Sequence, residues 1–146
     1  MQIEIKIDST LKEPKVIIMA DRMSEEVKAL AAKLSAEAPQ MLAGFQEDSL
    51  KILEQTDIFR IYCNGGKVYA VTGDGEYLLR LRLYELEERL DKSSFVRISN
   101  SEIINLKKVR NFDLSFSGTI CVSLSDGTVT YVSRRFVAKI KQVLGI

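Results

Sequence analysis

Two short polar stretches hold the residue types best suited to chemistry with a partner. The first is Ser99-Asn100-Ser101, with Arg97 just before it. Phe95 and Ile98 anchor it on one side, and Ile103, Ile104 and Leu106 on the other. A polar loop held at both ends by apolar side chains presents its donors and acceptors rigidly. Asparagine bonds bidentately to adenine N6 and N7, and serine bonds to a base edge or a phosphate. The same residues also suit an ordinary turn that satisfies its own backbone, and both readings stand at this point.

The second stretch is Val132-Ser133-Arg134-Arg135-Phe136, at the start of a predicted helix. Ser133 is a natural N-cap. Arg134 and Arg135 then fall in the first turn, where positive charge opposes the helix dipole at a cost of about 0.3–1 kcal/mol each. A phosphate placed there reverses that sign and meets free backbone N–H groups. Arginine is also the commonest reader of guanine. An exposed and screened arginine pair without a partner is the plainer account.

Other chemistries are poorly served. The 146-residue chain has no histidine, which removes the usual general base, the histidine-activated nucleophiles and the commonest transition-metal ligand. Asp74 with Glu76, and the Glu85, Glu87 and Glu88 group, read as a turn and a solvated helix face. Cys63 and Cys121 sit in apolar alternating stretches, as reduced, buried cysteines do. No enzymatic activity, cofactor, metal or small-molecule substrate is therefore expected.

The net charge of +1 conceals a segregation. Residues 1–40 carry −1, residues 41–91 carry −4, and residues 92–146 carry +6 from nine basic and three acidic side chains. DNA responds to the local field rather than to the total, so the partner surface belongs to the basic end.

These side chains need elements to position them. Ile3, Ile5 and Ile7 alternate with Glu4 and Lys6, and Val16-Ile17-Ile18-Met19 follows Pro14; both predict short strands. Ser24 caps an amphipathic helix over 24–36, and Pro39 closes the segment. From residue 40 the pattern becomes short strands divided by turn residues, at 41–46, 49–54, 58–63, 67–72, 76–80, 95–98, 109–115, 119–124 and 128–132. Asn64-Gly65-Gly66 and Gly73-Asp74-Gly75 are hairpin chemistry. Helices are predicted at 83–91 and 134–144, and no helix-turn-helix is visible. No apolar run approaches the ~20 residues that span a bilayer, and the N-terminus lacks a signal-peptide core. The protein is expected in the cytoplasm. The fold class is mainly β with a few helices (α+β): a short ββα extension at 1–39, then a β-rich domain at 40–146.

Residues 41–146 resemble the LytTR type of DNA-binding domain, a bacterial module that recognises DNA without a helix-turn-helix. The family pattern runs approximately Phe-x-Arg-x-His-x-Ser-x-Ile-Val-Asn, then a basic stretch, a glycine hairpin and a Ser-Arg before the last helix. Phe95, Arg97, Ser101, Ile103 and Asn105 match it, with Ile104 in place of valine. Lys107, Lys108 and Arg110 supply the basic stretch, and Asp126-Gly127 and Ser133-Arg134 follow in order. Two departures stand out. Ser99 occupies the histidine position, and Asn100 the next, which is often basic. In the loop 64–67, where other members place a DNA-contacting His or Arg, only Lys67 keeps a charge.

The resemblance implies antiparallel sheets whose loops enter the major groove of double-stranded DNA, with dimers on repeated half-sites. Asn100, Ser101, Arg134 and Arg135 are the expected base-edge contacts. Lys67, Arg97, Lys107, Lys108, Ser133 and Lys139 are the expected phosphate contacts, and Asn105 is expected to pin the loop backbone. About 40 residues are too few for the receiver domain that precedes many LytTR domains, so a stand-alone regulator is implied. By analogy with compact members, residues 1–39 serve dimerisation or docking of a small membrane-protein inhibitor. The alternative is a β-rich interaction module that binds a membrane-associated regulator and has little or no DNA affinity. The +6 segment favours DNA, since a generic protein interface does not need it.

Overall fold

A computed structural model of the chain describes residues 1–34 and 41–146. Between those stretches the chain divides into two compact units. The expected stop at Pro39 lies outside the described residues.

Among the described residues of the N-terminal unit one element forms, the helix α1 (Glu25–Leu34). Its start follows the expectation: the Val27 N–H donates to Ser24 Oγ at 3.2 Å, and Glu25 and Glu26 occupy the first turn. The strands expected at 3–7 and 16–19 are absent, so the extension is a helix preceded by two irregular runs rather than a ββα unit. An alternating sequence makes a strand only when a second strand takes up its N–H and C=O groups. Neither run forms a ladder with the other. No residue of α1 is buried either.

The second unit opens with β1 (Met41–Gln46) and β2 (Ser49–Glu54), then β3 (Ile58–Asn64), β4 (Lys67–Thr72) and β5 (Gly75–Leu79). After helix α2 (Leu83–Arg89) come β6 (Phe95–Ser99), β7 (Glu102–Asn105), β8 (Val109–Asp113), β9 (Ile120–Leu124) and β10 (Val129–Val132), and helix α3 (Arg134–Leu144) ends the unit. All pairings are antiparallel. A seven-stranded sheet has the order β2-β1-β5-β4-β3-β7-β6, and a three-stranded sheet the order β10-β9-β8. Gly65 and Gly66, with φ of 60° and 78°, form the tight β3–β4 turn that the double glycine predicts; only residues tolerant of positive φ fit both positions.

Two cores lie on opposite sides of β6 and β7. Leu83, Leu86 and Leu90 of the α2 region pack with Ile58, Ile61 and Ile103 in one. Ile120, Val122 and Leu124 of β9 join Val96, Ile98, Ile104 and the α3 residue Ile140 in the other. Strand β7 therefore has no solvent face, and all four of its residues are buried. That explains why its sequence, Glu-Ile-Ile-Asn, shows no alternation and was not predicted as a strand: a strand covered on both faces loses the period-two signal.

Candidate nucleic-acid interface

Three chain junctions meet at one end of the β-rich unit. Strands β6 and β7 are joined by the turn at Asn100-Ser101, β3 and β4 by Gly65-Gly66, and β10 passes into α3 at Ser133. The Cys63 N–H donates to the Ser101 carbonyl at 2.8 Å, and the Ser133 N–H donates to the Ile98 carbonyl at 2.9 Å. The β8–β9 loop, 114–119, reaches the same end, where the Thr119 hydroxyl donates to the Val132 carbonyl.

Arg97 builds the turn from below. Its Nε donates to the Ser99 carbonyl at 2.9 Å, its Nη2 to the Asn100 carbonyl at 2.6 Å, and its Nη1 pairs with Glu87 of α2. The Ser101 N–H donates to Ser99 Oγ at 3.2 Å. With its backbone so held, the turn leaves the Asn100 and Ser101 side chains exposed. Arg97, expected at a phosphate, is instead drawn in beneath the turn, with only 16% of its side chain exposed.

Arg135 lies against this turn, its Nη1 donating to Asn100 Oδ1 at 3.2 Å. Arg134 lies over the neighbouring loop. A Cβ built on Gly118, whose φ is 75°, would stand 3.1 Å from Arg134 Nε. Sequence reasoning misses the loop containing Gly118, which only its Ser-Phe-Ser-Gly run marks; its Phe116 is exposed. Next to it, Asp113 accepts from the Ser115 hydroxyl and N–H, which hold its carboxyl below the usual carboxylate range. Ser133 sits at the N-cap with extended backbone, but its side chain makes no cap hydrogen bond. The hydroxyl expected to cap α3 is therefore free of that duty, while the first-turn Phe136 N–H donates instead to the Ser133 carbonyl at 2.9 Å.

The carboxylates nearest this end are already engaged. Glu87 pairs with Arg97. Glu102, 8% exposed, pairs with Arg60 Nη1 at 2.9 Å and accepts from the Thr130 hydroxyl at 2.6 Å, tying the two sheets together. Lys67, Arg134 and Arg135 form no ion pair among the described residues. Glu87 and Glu102 are thus neutralised internally and Asp113 keeps its charge on the Ser115 hydrogen bonds, while the three unpaired cations leave this end with the net positive field that attracts a polyanion.

The remaining expected contacts lie elsewhere. Lys107 and Lys108 follow β7 at its opposite end, where the Ser125 N–H donates to the Lys108 carbonyl at 2.8 Å. The Lys108 ammonium stands 5.1 Å from the Phe59 ring centroid. Lys139, on α3, borders a cleft of about 320 Å³ with Glu87, Glu88 and Lys92. Asn105, 1% exposed, is structural as expected: its Nδ2 donates to the Ile58 carbonyl at 2.9 Å and its Oδ1 accepts from the Lys107 N–H at 3.0 Å. The described residues include no group of His, Cys, Asp and Glu arranged to hold a metal, and none of their helices is long and apolar enough to cross a membrane.

Comparison with known proteins agrees with this architecture. A family model described as the LytTr DNA-binding domain matches residues 48–145. A protein of Staphylococcus aureus strain MRSA252, named an uncharacterized HTH-type transcriptional regulator, is 31% identical over 147 residues, covering 100% of this chain and 99% of its own length. A like-named protein of strain NCTC 8325 aligns with the same identity and coverage. Among solved structures, a LytTr DNA-binding domain from Bacillus cereus superposes with a TM-score of 0.71 at 20% identity, over 73% of this chain and 98% of its own. Despite the relatives' names, α2 and α3 are separated here by five strands, so they form no helix-turn-helix. Matched over most of its length by a family that binds DNA and is not a family of enzymes, the chain belongs to the LytTR DNA-binding domain family.

Proposed function

We propose that this protein is a cytoplasmic transcription regulator that reads double-stranded DNA with the end formed by the 99–101 turn and the start of α3, and that it acts as a dimer on repeated half-sites. The observation that carries the reading is the hydrogen bond from Arg135 to Asn100. It joins two exposed side chains 35 residues apart, each of a type that reads a purine edge in the major groove. In the free protein they satisfy one another; on DNA each exchanges that bond for a base. Ser101 and Arg134 flank the pair. Lys67, Ser133 and the first-turn N–H groups of α3 other than that of Phe136 take phosphates, which position the protein without specifying sequence. Lys107, Lys108 and Lys139 contribute a long-range field, and Arg97 supports the turn.

The test is a mobility-shift titration at two salt concentrations, using DNA from the protein's own promoter region and a scrambled control. Parent protein should bind the promoter tightly, with affinity falling steeply as salt rises. Arg135→Ala and Asn100→Ala should lose discrimination between the two DNAs by about 1–3 kcal/mol. Parent binding that is absent or insensitive to salt would instead favour the protein-interaction module.

A further inference from the structure

We infer that residues 2–8 form a two-fold antiparallel strand pair with the same residues of a second copy of this chain, centred on Ile5. This deepens, and rests on, the dimeric part of the proposed function. The segment reads Gln2-Ile3-Glu4-Ile5-Lys6-Ile7-Asp8. Ile3, Ile5 and Ile7 are 87%, 80% and 92% exposed, and no backbone group of residues 1–7 is hydrogen-bonded among the described residues. An alternating apolar run with free N–H and C=O groups is a template for another strand.

The charges select which strand. With Ile5 facing its own copy, Glu4 faces the partner's Lys6, Lys6 faces the partner's Glu4, and Ile3 faces the partner's Ile7. Two-fold symmetry makes each contact off the axis twice, with the Ile5 pair on the axis. Sliding the register by two residues sets Glu4 against Glu4 or Lys6 against Lys6. Sliding it by one sets charged side chains against isoleucines. A single register satisfies both faces. The chain's own second run is a poorer partner, since between Lys15 and Asp21 it has no charge to answer Glu4 and Lys6. Residues 1–4 and 16–20 border an open groove with Val27 and Leu30 of α1, yet they form no ladder there.

The experiment is sedimentation of the full chain without DNA, so that it is independent of the reading end. The parent should be a dimer. Glu4→Lys and Lys6→Glu each place like charges opposite one another twice, and each should raise the dimer dissociation constant about tenfold or more. Mixed in equal amounts, the two variants should recover the parent's dimer, because one strand then carries lysine at both positions and the other glutamate. Parent-like dimers of the single variants, a mixture that stays dissociated, or a monomeric parent would each overturn the inference. A monomeric parent would also assign these residues to pairing within the chain or to a different protein. Discrimination between promoter and scrambled DNA by the same samples reports separately on the 99–101 end.

Discussion

Asn100 and Asn105 stand five residues apart at opposite ends of β7, and the structure uses them in opposite ways. Asn105 spends its side chain on the Ile58 carbonyl and the Lys107 N–H, with 1% of its surface left. Asn100 is exposed, and among the described residues its side chain bonds only to Arg135. The arginines divide in the same way. Arg97 is committed to two carbonyls and Glu87, whereas Arg135 holds a single exchangeable bond. A residue type suited to reading DNA is available for it only where folding leaves its polar atoms unspent, so residue type alone nominates more contacts than the fold can offer.

This contrast can be broken in graded steps. The largest effect is expected from Glu102→Ala, which strips the half-buried Arg60 of its carboxylate and Thr130 of its acceptor. Arg60 Nε already lacks a partner among the described residues. Loss of about 3 kcal/mol is expected, visible as a lower midpoint in urea unfolding. Asn105→Ala should follow at about 2 kcal/mol, since a buried carbonyl and N–H lose their partner together. Its folded fraction should still distinguish promoter from scrambled DNA. If discrimination vanished while the variant remained folded, the division of labour between the two asparagines would be wrong.

Arg135→Ala is the mirror experiment. Stability should change by less than about 0.5 kcal/mol, as for an exposed site, while sequence discrimination falls by about 1–3 kcal/mol in the mobility shift. The smallest effects compare two lysines. Lys67→Ala, at the reading end, should weaken binding to every sequence and lower the salt slope by about 0.9. Lys108→Ala, at the opposite end and over Phe59, should leave that slope nearly unchanged. Equal slopes for the two variants would extend the DNA footprint along the whole of the smaller sheet.

Much of the β-rich unit was legible because its signals are local. The Gly65-Gly66 turn, the strands flanking it and the boundaries of α3 depend on residues close in sequence. Where the signal depends on what covers an element, the sequence misleads. Glu102–Asn105 looked irregular because cores press on both its faces. Ile3-Glu4-Ile5-Lys6-Ile7 looked like a strand because alternation states a preference for a partner, while the described residues of one chain supply none. Nor could Arg97 be separated from Arg135 by spacing: which guanidinium is drawn inward depends on Glu87 and two carbonyls lying within its reach.

By itself the sequence determined the fold class, the basic segment 92–146 and the two polar stretches, since composition, period and turn chemistry act over a few residues. Tertiary structure alone decided that those stretches meet. The bond between the Ser133 N–H and the Ile98 carbonyl sets the start of α3 beside the 99–101 turn, closing a long stretch of chain whose ends no local propensity could bring together. The cost of that closure is met by the buried second core, and the exposed pair of Arg135 and Asn100 is its consequence.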